Sequence, residues 1–173
     1  DYIDAPVIRG PKEAQTGTLV TLLGLADQFQ NPTVQKIISS YSETIHYFGS
    51  ESKALVVKLL NNYVTCVTST VLIDVIEAAR KNHVDVEKMT MILMSSAARS
   101  GTLEKMVMPI LGGDYRGHSF SVENAIKDLN LVSQMMGKQD SDLASLSAAK
   151  LNARERAQDT VLSELLKPLG EYS

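Results

Sequence analysis

The feature that most constrains this chain is a stretch with nothing to interrupt a helix. From Ser50 to about Asn82 there is no proline and no glycine. Ser50 or Ser52 can cap the start. Some thirty helical residues make a rod of about 45 Å. Leu55, Leu59, Val67, Leu72 and Ile76 supply its apolar positions. A helix this long needs a structural reason. It is expected to be the central helix around which others pack.

The residues before it have a different period. Tyr2–Ile8 reads as a short strand stopped by Gly10-Pro11. Gly17–Gly24 is rich in β-formers and bounded by glycine, so it reads as a second strand. Pro32 suits the first turn of a helix that carries Val34, Ile37, Ile38 and Tyr41. Thr44–Phe48 reads as a third strand, ended by Gly49. The expected block is strand, strand, helix, strand.

Every later signal is helical. Asp85 caps a helix running to about Ala98. A shorter one follows Thr102 through Leu103, Met106 and Ile110, closed by Gly112-Gly113. Ser121 caps a helix with Ala125, Ile126, Leu129, Val132 and Met136 at helical spacing, and Gly137 at its end. Two last helices are expected over Ser141–Arg156 and Asp159–Leu166, before Pro168. The fold class is therefore mostly α, with a small α/β block in front.

Composition narrows the function. Lys+Arg is 17 and Asp+Glu is 20, a difference of −3, which excludes the strongly basic balance of a general nucleic-acid binder. Cys66 is the only cysteine, so neither an intrachain disulfide nor a cysteine zinc cluster can form. A lone thiol without a signal peptide points to a reducing cytoplasm. No apolar run is expected to cross a bilayer. Asp1 is the first residue and opens into an apolar stretch, so the chain is expected to start partway through a longer protein.

The chemistry-bearing residues are few. The sequence has no G-x-G-x-x-G, no G-x-x-x-x-G-K-[ST] and no H-E-x-x-H. His46, His83 and His118 sit apart, on a strand and in loops, and make no metal site. Cys66 lies mid-helix and reads as a buried, inert thiol. The methionines sit at helical spacings and read as core or interface. Arg154-Glu155-Arg156 reads as a solvated face. One pair stands out. Lys58 and Asn62 are four residues apart and share one helix face, where an ammonium and an amide could hold a substrate oxygen. On spacing alone, a snorkelling surface lysine and a spare polar residue explain them better.

The order of segments changes that weighting. Asp4-Ala5-Pro6-Val7, Gly17-Thr18-Leu19, Gly49, Lys58-x-x-Asn61-Asn62 and Lys127-Asp128-Leu129 form a co-linear series. Over nearly the whole chain it resembles the β-hydroxyacid dehydrogenase family, which includes 3-hydroxyisobutyrate dehydrogenase, tartronate semialdehyde reductase and relatives of 6-phosphogluconate dehydrogenase. Each motif alone is weak; five in order are fairly specific.

The resemblance implies an all-helical, 6-phosphogluconate dehydrogenase-like C-terminal domain around one long helix. Residues 1–49 would be the closing strands and helix of a Rossmann-type dinucleotide-binding domain. Residues 50–173 would be the helical substrate and dimerisation domain. By similarity Lys58 matches the catalytic lysine and Asn62 the substrate-orienting asparagine. Lys127 matches the lysine of the family's K-D-L motif, which reaches the cofactor or substrate cleft, and Asp128 would cap or support that segment. The cofactor would be NAD or NADP, its main binding loop upstream of this chain. The substrate would be a small hydroxy acid or aldehyde acid, and the protein a homodimer or higher homo-oligomer without nucleic acid or membrane partners.

Three stretches depart from the family, one being Gly24-Leu25 where the family has two glycines after the second strand. D-A-P-V-S-G-G, whose serine and glycines bind the substrate carboxylate, here ends in Ile8-Arg9-Gly10. Ile8 has no hydroxyl. Arg9 either clamps a carboxylate or points to solvent, and Gly10 is retained. The family's G-S-G is here Ser52-Lys53-Ala54, so that loop should be stiffer and already helical. These changes keep two alternatives open: a non-catalytic helical dimerisation module of the same fold, or a reductase of that fold acting on an imine or other carbonyl analogue.

Overall fold

The computed structural model describes residues 3–26, 31–50, 52–137, 143–154 and 160–168. They fall into two compact units, 1–61 and 62–173.

The first unit is a small α/β block. Its elements are β1 (Val7–Ile8), α1 (Pro11–Thr16), β2 (Leu19–Leu23), α2 (Pro32–Ile38), β3 (Ser42–Tyr47) and the start of α3 (Lys53–Lys81). The sheet order is β1-β2-β3, antiparallel between β1 and β2 and parallel between β2 and β3. A parallel neighbour needs a crossover, which α2 supplies. Leu19, Thr21, Leu22 and Leu23 of β2 are buried, as expected of the central strand. Thr21 and Ser42, both buried, satisfy each other through their hydroxyls at 2.6 Å. The third strand starts two residues earlier than Thr44, and α2 stops at Ile38 rather than reaching Tyr41. The Tyr41 carbonyl instead accepts from the N–H of Leu19.

Helix α1 was not expected. Gly10-Pro11 reads as a strand stop, but Pro11 occupies the first turn, where its missing N–H costs nothing. The Glu13 carboxylate reaches back to accept from the Gly10 N–H, and Gly17 ends the helix in the left-handed conformation at φ 70°.

Helix α3 begins at Lys53, so Lys53 and the fully buried Ala54 are helical as expected, whereas Ser52 lies before the helix at a glycine-like φ of 70°. At 29 residues it is the longest element. Cys66, Ser69, Thr70, Ile73 and Ile76 form its buried stripe, while Leu55, Leu60, Val64 and Val71 are exposed. Leu72 and Ile76 are core as expected; Leu55 is not. The expectation that no segment could span a bilayer fails here. Residues 59–73 carry no charge, and α3 is long and apolar enough to cross a membrane by length and composition alone.

The second unit continues with α4 (Val86–Ser95), α5 (Gly101–Met106), α6 (Met108–Leu111), α7 (Val122–Met135), α8 (Leu143–Asn152) and a 3₁₀ turn over Leu162–Leu166. Asp85, Ser100 and Ser121 cap α4, α5 and α7 with their side chains. The single helix expected from Thr102 to Ile110 is two helices. In one continuous helix Pro109 would lack the N–H for the ladder and its ring would collide with the carbonyl four residues back; here it sits in the first turn of α6. Asp159–Leu166, expected as a helix, is a 3₁₀ turn in its described part, where Val161 bridges Ser121 in extended conformation. Ser141, Arg156 and Asp159 lie outside the described residues. Ile73, Ile76, Leu103, Met106, Leu129, Val132, Leu151, Leu162 and Leu166 make the core. Met106 fills it, whereas Met91, Met108, Met135 and Met136 are exposed. Arg154 is no solvated residue. Its guanidinium lies 3.0 Å from Asp74 and 2.8 Å from Glu77 of α3, which hold its proton even more tightly than usual.

Candidate functional site

Ser121 sets the phase of α7. With its hydroxyl on the Asn124 N–H, the helix turns Val122, Ala125, Asp128, Leu129 and Val132 inward. Asp128 is thus a carboxylate on an apolar stripe. Such a group is costly unless partnered, and it has two partners. Asn62 of α3 donates its Nδ2–H to Asp128 Oδ2 at 2.7 Å. Lys127 Nζ lies 3.5 Å from Asp128 Oδ1 and donates to Asn124 Oδ1 at 3.3 Å. The Asp128 side chain is 12% exposed and that of Lys127 61%, so the anion is inside and its cation faces water.

Cys66 is one helical turn beyond Asn62 on α3 and is fully buried. Burial, and then the charge of Asp128, push its thiol up to about 12. A thiol so held is no nucleophile at neutral pH.

The second unit therefore brings Asn62, Lys127 and Asp128 together. Lys58 lies half-buried in the first unit, one turn before Asn62 along α3. Arg9 and Gly10 also belong to the first unit. Arg9 sits at φ 80°, a left-handed conformation that glycine adopts freely and arginine does not. Its Nη1 donates to the Thr18 carbonyl and pairs with Glu43 at 2.7 Å. The Gly10 N–H donates to the Glu13 carboxylate at 3.0 Å. Both candidate carboxylate ligands thus have partners inside the unit.

Asp128 is the residue that sequence reasoning undervalued. Its spacing from Ala125 and Val132 places it on the inward stripe, and that spacing was the available signal.

Residues 52–162 match the family described as NAD-binding of NADP-dependent 3-hydroxyisobutyrate dehydrogenase. A 2-(hydroxymethyl)glutarate dehydrogenase of Eubacterium barkeri is 32% identical over 133 residues, covering 76% of this chain and 44% of that enzyme. A Mycobacterium tuberculosis 3-hydroxyisobutyrate dehydrogenase, solved with L-serine, superposes with a TM-score of 0.77 at 19% identity, covering 95% of this chain and 59% of the other. A structure described as Psf3 in complex with NADP+ and 2-OPP gives 0.77 at 20% identity, covering 96% and 59%. The chain thus spans about half the length of the curated relatives it matches, 44% in the first case.

Proposed function

Because this chain belongs to the family of NAD-binding domains of NADP-dependent 3-hydroxyisobutyrate dehydrogenase, we propose that it is the lysine-bearing part of an NAD(P)-dependent oxidoreductase interconverting a 3-hydroxy acid and its carbonyl. The observation that carries this reading is the Asn62 amide held by Asp128, one turn beyond Lys58 on the same helix.

Lys58 takes the hydroxyl proton when the substrate is oxidised. In the reverse direction it protonates the carbonyl oxygen. Asn62 orients that oxygen. Arg9 and Gly10 occupy the positions of the family's carboxylate-binding glycines, with Arg9 keeping a glycine-like backbone at φ 80°. Lys127 fits an anionic cofactor group: its ammonium faces water while the buried Asp128 holds its position. When bound, NAD or NADP supplies the hydride acceptor. The relative that acts on 2-(hydroxymethyl)glutarate supports a branched small hydroxy acid as substrate.

The test is Lys58→Met in the whole enzyme. It should lower kcat by about 100-fold or more, with cofactor affinity little changed. Wild-type kcat in that variant would remove the lysine from the mechanism.

A further inference from the structure

We propose that Asp128 is a positioning residue for the reaction: it locks the Asn62 side-chain amide in one rotational state and thereby aims it at the substrate oxygen. The inference rests on the reading of Asn62 as the substrate-orienting group.

The argument begins with hydrogen-bonding capacity. An ionised carboxylate only accepts, whereas the two ends of an asparagine amide differ, NH₂ donating and carbonyl accepting. Facing Asp128, Asn62 must therefore turn its nitrogen inward, as it does at 2.7 Å. The terminal torsion of an asparagine is broad and weakly biased by itself. A charge-assisted bond of this length removes that freedom. One N–H is then fixed on Asp128, and the second points in a set direction within the amide plane. That second N–H is the donor the proposal assigns to the substrate oxygen.

Asp128 is itself held. It lies on the inward stripe of α7, between Ala125 and Val132, and its other oxygen faces Lys127 at 3.5 Å. Cys66, buried on α3 one turn past Asn62, feels the same carboxylate. A rigid acceptor on one helix thus fixes a flexible donor on another, which is how a positioned group gains accuracy over a free one.

The experiment is a set of variants of the whole enzyme, assayed with NADP and whichever of 3-hydroxyisobutyrate and 2-(hydroxymethyl)glutarate it oxidises faster. Asn62→Ala should cut kcat/KM for the hydroxy acid by about 10- to 100-fold. Asp128→Ala should cut it by a similar factor, and the double variant should lose little more. Measured at saturating NADP, the loss should appear for the hydroxy acid in both single variants; KM for NADP should stay unchanged in Asn62→Ala and rise only in Asp128→Ala, which also releases Lys127. Asp128→Asn keeps the size but can donate as well as accept, so Asn62 can meet it with either end and kcat/KM should fall nearly as far as in Asp128→Ala. Asp128→Ala that is folded by circular dichroism yet keeps wild-type kcat/KM overturns the proposal. So does a double variant whose losses multiply, or Asp128→Asn keeping wild-type kcat/KM. Should Asn62→Ala have no effect, both this proposal and the orienting role of Asn62 fall. If Asn62→Ala is impaired and Asp128→Ala is not, only the proposal falls.

Discussion

The carboxylate of Asp4 accepts a hydrogen bond from the backbone N–H of Ser52, 48 positions along the chain. Ser52 is at φ 70°, and its carbonyl accepts from the Val56 N–H to start the α3 ladder. Asp4 is 4% exposed, and its own carbonyl accepts from Gly24 beside β2. One residue therefore ties the sheet edge to the start of the long helix, placing a negative charge where the helix presents unpaired N–H groups.

Asp4→Ala should destabilise the protein by about 1–3 kcal/mol, since it leaves the Ser52 N–H without its acceptor. Urea unfolding followed by circular dichroism measures this. An unchanged midpoint would mean that water replaces the carboxylate fully.

Cys66 should resist alkylation. With its thiol pushed up to about 12, the thiolate is scarce at pH 8. Iodoacetamide should leave the native protein unmodified over hours and label it promptly in urea, as read by intact mass. Rapid native labelling would contradict its burial.

His118 should make the protein acid-sensitive. Burial, then the nearby Lys105, hold its imidazole below the ordinary value, against a weaker opposing backbone hydrogen bond. Its Nδ1 is buried without a hydrogen-bond partner, and the ring packs edge-on against Phe120. The neighbouring 3₁₀ turn faces this loop with Ser163, which accepts from the His118 N–H, and with Glu164, which lies 3.8 Å from Arg116. The unfolded chain takes up the proton first, near pH 6.5, and the folded state only at lower pH. Stability is therefore present above about pH 6.5 and falls as pH drops below it. His118→Phe should reduce the drop in urea midpoint between pH 7.5 and 5.5. Equal drops in both proteins would remove His118 as the cause.

The exposed apolar residues should support self-association. Val64 and Val71 of α3 are 66% and 51% exposed, and Met91 and Ile92 of α4 are 64% and 65% exposed. Such residues on stable helices suit a subunit interface. Light scattering at high micromolar concentration should give a homo-oligomer, and Val64→Lys with Val71→Lys should shift it toward monomer. A wild-type monomer under those conditions would count against the interface.

Local rules made most elements legible in advance. Asp85 and Ser121 are caps because their side chains accept from the N–H three residues on, a matter of four residues of chain. The long helix was legible because nothing in 53–81 breaks it. Helix α1 was missed because a Gly-Pro pair serves both a strand stop and a helix start. The sequence alone cannot say which, since the answer depends on Glu13 reaching back to the Gly10 N–H. The division at Met106–Met108 is legible from Pro109, which cannot continue the α5 ladder.

The site divides along the same line. Lys58, Asn62 and Lys127 are visible as spaced motifs, because helix periodicity converts sequence distance into a shared face. What the sequence by itself determined is therefore the helices, their caps and the order of the motifs, all set by interactions within a few residues. Only the tertiary structure decided that Asp128 holds Asn62 across 66 positions, that Arg9 pairs with Glu43, and that Arg154 belongs to Asp74 and Glu77. Those are pairings between charged and polar groups on separate elements. Several partners of the right type exist for each, and only the packing of the apolar stripes selects one.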